Sequence, residues 1–218
     1  MRKGKYEVKN HSSAFSSPRE KNNENMPTDL WNSIMLYLHD LVYLLVLAIV
    51  LLLLCFRVVV VLGSSMNSTL LDGDYLLLLS STFYRTPKQG DIIVASKETF
   101  DGGKPIVKRI IAVENQVVDI DFGAGIVYVD NQPLSEPYTL TLTTNDEGTQ
   151  FPLTVDEGCV FVLGDNRENS LDSRSREIGL IDCREIVGKA IFLFFPGTNK
   201  GKVARDFSRI GALNHGTG

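Results

Sequence analysis

Leu41 to Leu62 is a run of 22 residues interrupted by one charge, Arg57. Coiled as a helix it would measure about 33 Å, enough to cross a hydrocarbon core of about 30 Å. The stretch from Leu41 to Phe56 carries no charge at all. Arg57 lies near its outer end, where a long cationic side chain can reach the headgroups. Trp31, Tyr37 and Tyr43 suit an aromatic belt at the inner interface. The sequence therefore predicts a transmembrane anchor over residues 31–62, followed by one extracytoplasmic domain.

Charge on either side of the run orients it. Residues 1–30 carry six Lys/Arg against four Asp/Glu, whereas residues 63–218 carry 15 Lys/Arg against 21 Asp/Glu. The excess of positive charge before the anchor predicts a cytoplasmic N-terminus and an outer C-terminal domain. Residues 1–30 are polar and rich in Ser, Asn, Lys and Glu, so they are expected to be disordered. A cleaved secretory signal is the competing reading, with Gly63-Ser64-Ser65 as a weak cleavage site. The 30-residue polar lead and the long apolar segment favour an uncleaved anchor. An acidic domain without a basic stripe argues against nucleic acid as a partner.

Three cysteines do not build a disulfide framework. Cys55 falls in the anchor, and Cys159 and Cys183 could pair or remain buried thiols. There is no Cys-x-x-Cys and no histidine cluster, so no metal or cofactor is expected. The three histidines, His11, His39 and His215, all lie outside the expected folded region. A catalytic domain here cannot use histidine as a base.

After Gly63 the pattern changes to short apolar runs separated by turn residues. Strands are predicted at 75–79, 91–95, 106–113, 117–120, 126–129, 159–163 and 186–194. Asp72-Gly73-Asp74, Pro87-Lys88-Gln89-Gly90 and Asp101-Gly102-Gly103 are typical of the punctuation between them. No long amphipathic helix follows the anchor, so the domain reads as mainly β, a barrel or sandwich-like arrangement. It should span 63–198 with a small cap at about 116–157, and residues 199–218 should form a loose tail.

The chemistry-bearing residues fall in three segments. Ser64 and Ser65 lie in a Gly-Ser-Ser-Met turn just after the anchor. A serine nucleophile needs a base, and without histidine that base must be a carboxylate or an amine. Lys108 sits inside the apolar run Pro105–Val113, beside Arg109, and strand alternation sends the two cations to opposite faces. Burial would lower a lysine's pKa toward working pH, whereas arginine does not deprotonate. A snorkelling edge-strand lysine is the bland alternative. The third segment, Gly164-Asp165-Asn166-Arg167-Glu168-Asn169-Ser170-Leu171-Asp172-Ser173-Arg174, is dense in polar groups and follows an apolar strand. Such density beside a core is costly unless every group is satisfied.

Taken in order, these segments resemble the type I signal peptidases, serine/lysine dyad enzymes of peptidase family S26. Gly63-Ser64-Ser65-Met66-Asn67-Ser68-Thr69-Leu70 with Asp72-Gly73-Asp74 is similar to that family's serine box. Gly90-Asp91-Ile92-Ile93-Val94 and Val107-Lys108-Arg109-Ile110-Ile111 resemble its next strand and its lysine box. The segment 164–174 is similar to its Gly-Asp-Asn-x-x-x-Ser-x-Asp-Ser-Arg box, and Ile186–Ala190 resembles the closing strand. The resemblance implies an antiparallel β-sheet catalytic domain on one N-terminal transmembrane helix.

It also implies roles. Ser65 would be the nucleophile, with Ser64 as the runner-up if the register is shifted. Lys108 would be the general base, and the Ser65 N–H an oxyanion donor. Ser170 would bond the lysine amine, Asp172 and Arg174 would form a supporting ion pair, and Asp165 would brace them. The chain departs from the family's pattern at Ser68, where proline is usual, and at Ala112-Val113-Glu114-Asn115 after the lysine box. Gly63 stands where some members carry a serine hydroxyl as second oxyanion donor.

The resemblance makes the partners secretory preproteins, whose signal peptides would be cut after small residues of the Ala-x-Ala type. The enzyme would sit in a bacterial cell membrane as a single-pass protein, in contact with lipid and functional as a monomer. Two other readings stay open on the residues alone: a self-cleaving Ser/Lys peptidase, and a non-catalytic membrane-anchored β-domain that binds partner proteins.

Overall fold

In a computed structural model, residues 26–213 are described. The expected cytoplasmic segment, His11 and His215 lie outside them. The chain divides into two compact units, Met1–Val46 and Leu47–Gly218. Among the described residues there is one α-helix, α1, which runs from Met26 to Cys55. Within it, Leu30–Cys55 is 26 residues long with a mean hydropathy of 2.6 and none of it buried. An apolar helix of that length exposed on every side suits lipid rather than water.

The anchor expected over 31–62 is therefore displaced. The helix stops at Cys55, and Phe56–Val60 is a strand, β1. It pairs antiparallel with Tyr75–Ser80 (β2), placing Arg57 opposite Leu78 and Val60 opposite Tyr75. Arg57 is thus a residue of this sheet, with its side chain exposed. The reason for a strand here is steric: β-branched Val58, Val59, Val60 and Val61 crowd a helical turn and suit a pleated surface.

The remaining strands are Ile92–Ala95 (β3), Ile106–Val113 (β4), Val117–Asp121 (β5), Ile126–Val129 (β6), Gln132–Pro133 (β7), Leu153–Thr154 (β8), Cys159–Leu163 (β9), Ile181–Asp182 (β10), Ile186–Phe195 (β11) and Gly211–Ala212 (β12). One sheet runs β1-β2-β11-β3-β4-β9-β10, with β12 added to β11, and a second runs β7-β6-β5-β8. Every pairing is antiparallel, so the mainly β, antiparallel class holds. The second sheet comes from residues 117–154. Its Val118, Ile120, Val127 and Val129 pack on Ile111, Ala112, Phe161 and Leu163 of β4 and β9.

Two consequences matter for the site. Strand β4 lies inside the large sheet between β3 and β9, so Lys108 and Arg109 are both buried, at 4% and 2% exposure. Strand β9 delivers the polar segment 164–174 beside β4, with Arg109 opposite Leu163. The tail after Thr198, expected to be loose, is docked over its described part, residues 199–213; residues 214–218 lie outside the described residues. Gly211–Ala212 pairs with Phe192 and Leu193, and Arg209 bonds the buried Asp74. Cys159 and Cys183 are free thiols, half-buried near the β9–β10 pair.

Candidate active site

Residues 61–74 form the loop between β1 and β2 and carry both serines. Asp72 Oδ1 accepts from Gly63 N at 2.6 Å, Val61 N donates to Asp74 O at 2.8 Å, and Gly73 N donates to Val61 O at 2.9 Å. These bonds draw the two ends of the loop together. Gly63 takes a φ of 93°, which a side chain would oppose. The Gly63 N–H is thereby engaged. The Ser65 N–H donates to no acceptor among the described residues, as an oxyanion donor would require.

Lys108 Nζ donates to Ser65 Oγ at 2.7 Å. The contact joins the first and second segments singled out in the sequence. Ser64 has a different partner: its Oγ accepts from Asn169 Nδ2 at 2.8 Å. Burial lowers the Lys108 pKa from 10.5 to about 8. Asp172, Asp165 and Glu147 pull it upward and Arg174 pushes it down, but loss of hydration is the largest effect. A cleft of about 320 Å³ opens onto both side chains. Val59, Val61 and Leu62 line it together with Val94, Ile106 and Val107.

The 164–174 segment holds the loop and the base strand together, though not in the manner expected for every residue. Asn166 N donates to Ser65 O and its Nδ2 to Ser64 O, each at 3.0 Å. Gly164 permits this approach, since a Cβ there would lie 2.5 Å from Ser65 O and 2.1 Å from Ser170 Oγ. Ser170 does not make the expected bond to Lys108. Its Oγ is buried and has no hydrogen-bond partner, being turned against the Gly164 backbone in space that a side chain would otherwise fill.

Asp172 and Arg174 do form a two-pronged ion pair, with Arg174 Nε to Oδ1 at 2.8 Å and Nη2 to Oδ2 at 2.9 Å. They sit in a turn rather than on a strand face, because Asp172 Oδ1 also caps the Arg174 N–H at 3.3 Å. Asp172 Oδ2 further accepts from Gly164 N at 3.0 Å. Arg174 Nη2 donates to the carbonyls of Arg167 and Ser170 and lies 3.5 Å from Glu147. Burial raises the Glu147 carboxyl's pKa, and Arg174 opposes the rise.

Asp165 serves the loop more than the lysine. Its carboxylate accepts from Arg109 Nε at 2.8 Å and Nη2 at 2.7 Å, and from the Thr69 hydroxyl. Arg109 also donates to Gly90 O and lies 3.9 Å from the Tyr138 ring. Arg109, Asn166 and Asn169 are the residues that sequence reasoning missed as participants. All three were visible within the quoted boxes, but their partners lie 56, 102 and 105 residues away. Among the described residues no group of His, Cys, Asp and Glu is arranged to hold a metal.

A family model described as "Signal peptidase, peptidase S26" matches residues 34–195. A probable signal peptidase I-1 of Synechocystis sp. is 38% identical over 151 residues, covering 65% of this chain and 72% of that protein. A signal peptidase I of Bacillus licheniformis is 32% identical over 181 residues, covering 79% of this chain and 95% of that protein. A crystal structure of a signal peptidase I from Enterococcus faecalis aligns with a TM-score of 0.40 at 28% identity, over 48% of this chain and 97% of that one.

Proposed function

The chain belongs to the signal peptidase family, peptidase S26, and from that premise we propose that it removes signal peptides from secretory preproteins with a Ser65/Lys108 dyad. The observation that carries this reading is the 2.7 Å separation of Lys108 Nζ and Ser65 Oγ at the end of an apolar cleft. A lysine with a pKa of about 8 is deprotonated in a useful fraction near neutral pH. The neutral amine accepts the Ser65 proton as the oxygen attacks the scissile carbonyl. The Ser65 N–H faces the developing oxyanion. The resulting ammonium passes its proton to the leaving amine, leaving an acyl-enzyme on Ser65. Lys108 then activates water for deacylation.

The rest of the site keeps this geometry. Asn166 fixes the carbonyls of Ser64 and Ser65. The Asp165–Arg109 pair ties the serine loop to β4, and the Asp172–Arg174 pair braces the segment that carries Asn166. The cleft's Val59, Val61, Ile106 and Val107 suit small apolar side chains before the cut, consistent with Ala-x-Ala specificity. An extended substrate would lie along them in strand fashion. The apolar helix anchors the chain in a bacterial cell membrane with the N-terminus inside, and the substrate is met just outside.

The test is cleavage of a purified preprotein by the full chain in detergent micelles. Ser65→Ala and Lys108→Ala should each lower kcat by at least about 1,000-fold, the scale of losing one member of a catalytic unit. Ser64→Ala should stay within about tenfold of the parent, since Ser64 shares only backbone and amide contacts with the site. Full activity in Ser65→Ala or Lys108→Ala would remove the dyad reading.

A further inference from the structure

Asp74 closes the loop that carries Ser65, and it is fully buried. Its carboxylate accepts from four donors. Leu71 N and Gly197 N approach at 2.7 and 2.6 Å, and Arg209 Nη1 and Nη2 at 3.0 and 2.6 Å. Arg209 Nη2 also donates to Thr69 O at 3.3 Å. The cation that neutralises this carboxylate thus comes from the C-terminal segment, 135 residues away in sequence and beyond residue 195, where the family match ends.

The contact is not isolated. Asn199 N donates to Asp72 O at 3.0 Å, and Gly197 packs so tightly there that a Cβ would lie 2.3 Å from the same oxygen. Asp72 in turn holds Gly63 N. On the inner side, the Thr69 hydroxyl donates to Asp165, whose carboxylate takes the Arg109 guanidinium. Arg109 is the neighbour of Lys108 on β4. Arg209 therefore grips both Asp74 and the Thr69 carbonyl, and from Thr69 the side-chain bonds lead on to Asp165 and Arg109. These contacts join the nucleophile's loop to the strand of the base.

We propose that Arg209 is a positioning residue: by neutralising Asp74 and gripping Thr69 O, it fixes the loop so that Ser65 Oγ stays within reach of Lys108. The inference rests on the Ser65/Lys108 reading above. Without the guanidinium, Asp74 keeps a buried charge with only amide donors, and the loop must open to hydrate it. A shift of about 1 Å at the nucleophile is enough to slow chemistry by roughly 10- to 100-fold. Val59, Val94, Ile106 and Val107 line the cleft from outside this loop, so most of the substrate's apolar contacts are kept and KM should hardly move.

The experiment uses the full chain in detergent micelles, with kcat and KM measured on a preprotein and kcat expressed per folded molecule from near-ultraviolet circular dichroism. Arg209→Ala should lower kcat by about tenfold or more with KM within about twofold of the parent. Free guanidinium at low millimolar concentration should recover part of the loss. Arg209→Lys, which keeps the charge but not the two-pronged grip, should fall between. Should Arg209→Ala be too poorly folded to assay, Arg209→Lys decides by the same split between kcat and KM. Unchanged kcat per folded molecule, or a loss confined to KM, overturns the proposal. Ser65→Ala is run alongside: if it is inactive while the Arg209 variants keep full kcat, only the positioning role fails. If Ser65→Ala is active, the dyad reading itself fails.

Discussion

Lys108 is a cation held where water is nearly excluded, 4% exposed beside a half-buried serine. Its environment lowers the pKa from 10.5 to about 8, with burial as the main cause. That shift has a stability cost with a definite sign. Below pH 8 the amine is protonated in both folded and unfolded chains, and the folded state carries the full penalty. Between about pH 8 and 10.5 the unfolded chain binds more protons than the folded one, so stability rises with pH across that window. Lys108→Met should therefore raise unfolding stability at pH 7 by up to about 3 kcal/mol, at 1.36 kcal/mol per pKa unit. The gain should shrink toward zero by pH 10.5. Chemical denaturation of parent and variant at pH 7 and pH 10.5 checks both the size and the trend. The residue was legible in the sequence because a lysine within Pro105–Val113 contradicts its apolar neighbours. Its depressed pKa was inferred from the same conflict. That Ser170 turns away from the amine was not legible, since a hydroxyl's rotamer depends on Gly164 and the backbone around it, which the box spacing does not encode.

At the scale of elements, the site is a junction of three segments: the β1–β2 loop, strand β4 and the turn after β9. An ion pair buried on both partners, Arg109 with Asp165, joins β4 to the turn, and a second, Arg174 with Asp172, braces the turn itself. Removing one member of such a pair leaves an uncompensated charge, whereas removing both need not be costly. Arg109→Met should destabilise the domain by about 3–5 kcal/mol, and the double variant Arg109→Met/Asp165→Asn by clearly less. Equilibrium unfolding of the parent, each single variant and the double variant at pH 7 checks this, and additive losses would count against a direct pair. Of the ten strands from Tyr75 to Phe195, β2–β6, β9 and β11 were legible because each is a short apolar run bounded by Gly, Asp, Asn or Pro, whereas the two-residue strands β7, β8 and β10 were too short to leave a pattern. Strand β1 was not legible either. Phe56–Val60 continues the apolar run with Arg57 as its one interruption, and its β-branched valines and its pairing with β2 distinguish it. The Asp165–Arg109 joint was equally hidden, because 56 residues separate the partners. The sequence placed both residues in motifs without showing that one motif holds the other.

The whole molecule combines an exposed apolar helix with a domain whose reactive groups lie at one cleft. The helix Leu30–Cys55 should keep the chain in the membrane fraction through high-salt and alkaline washes, with release only by detergent. Release by salt alone would mean that the helix does not span. The proposed topology, with the N-terminus inside, predicts that protease added to the outer face of intact cells reaches the domain after residue 63 and spares residues 1–25. The dyad makes one demand on the intact protein that no structural role for these residues would make: activity must follow the deprotonation of Lys108. The direct measurement is kcat/KM for preprotein cleavage by the full chain in detergent from pH 6 to pH 10. The account predicts a limb that rises with pH through an apparent pKa of about 8. A profile that stays flat across that range, in enzyme that remains folded, would contradict it.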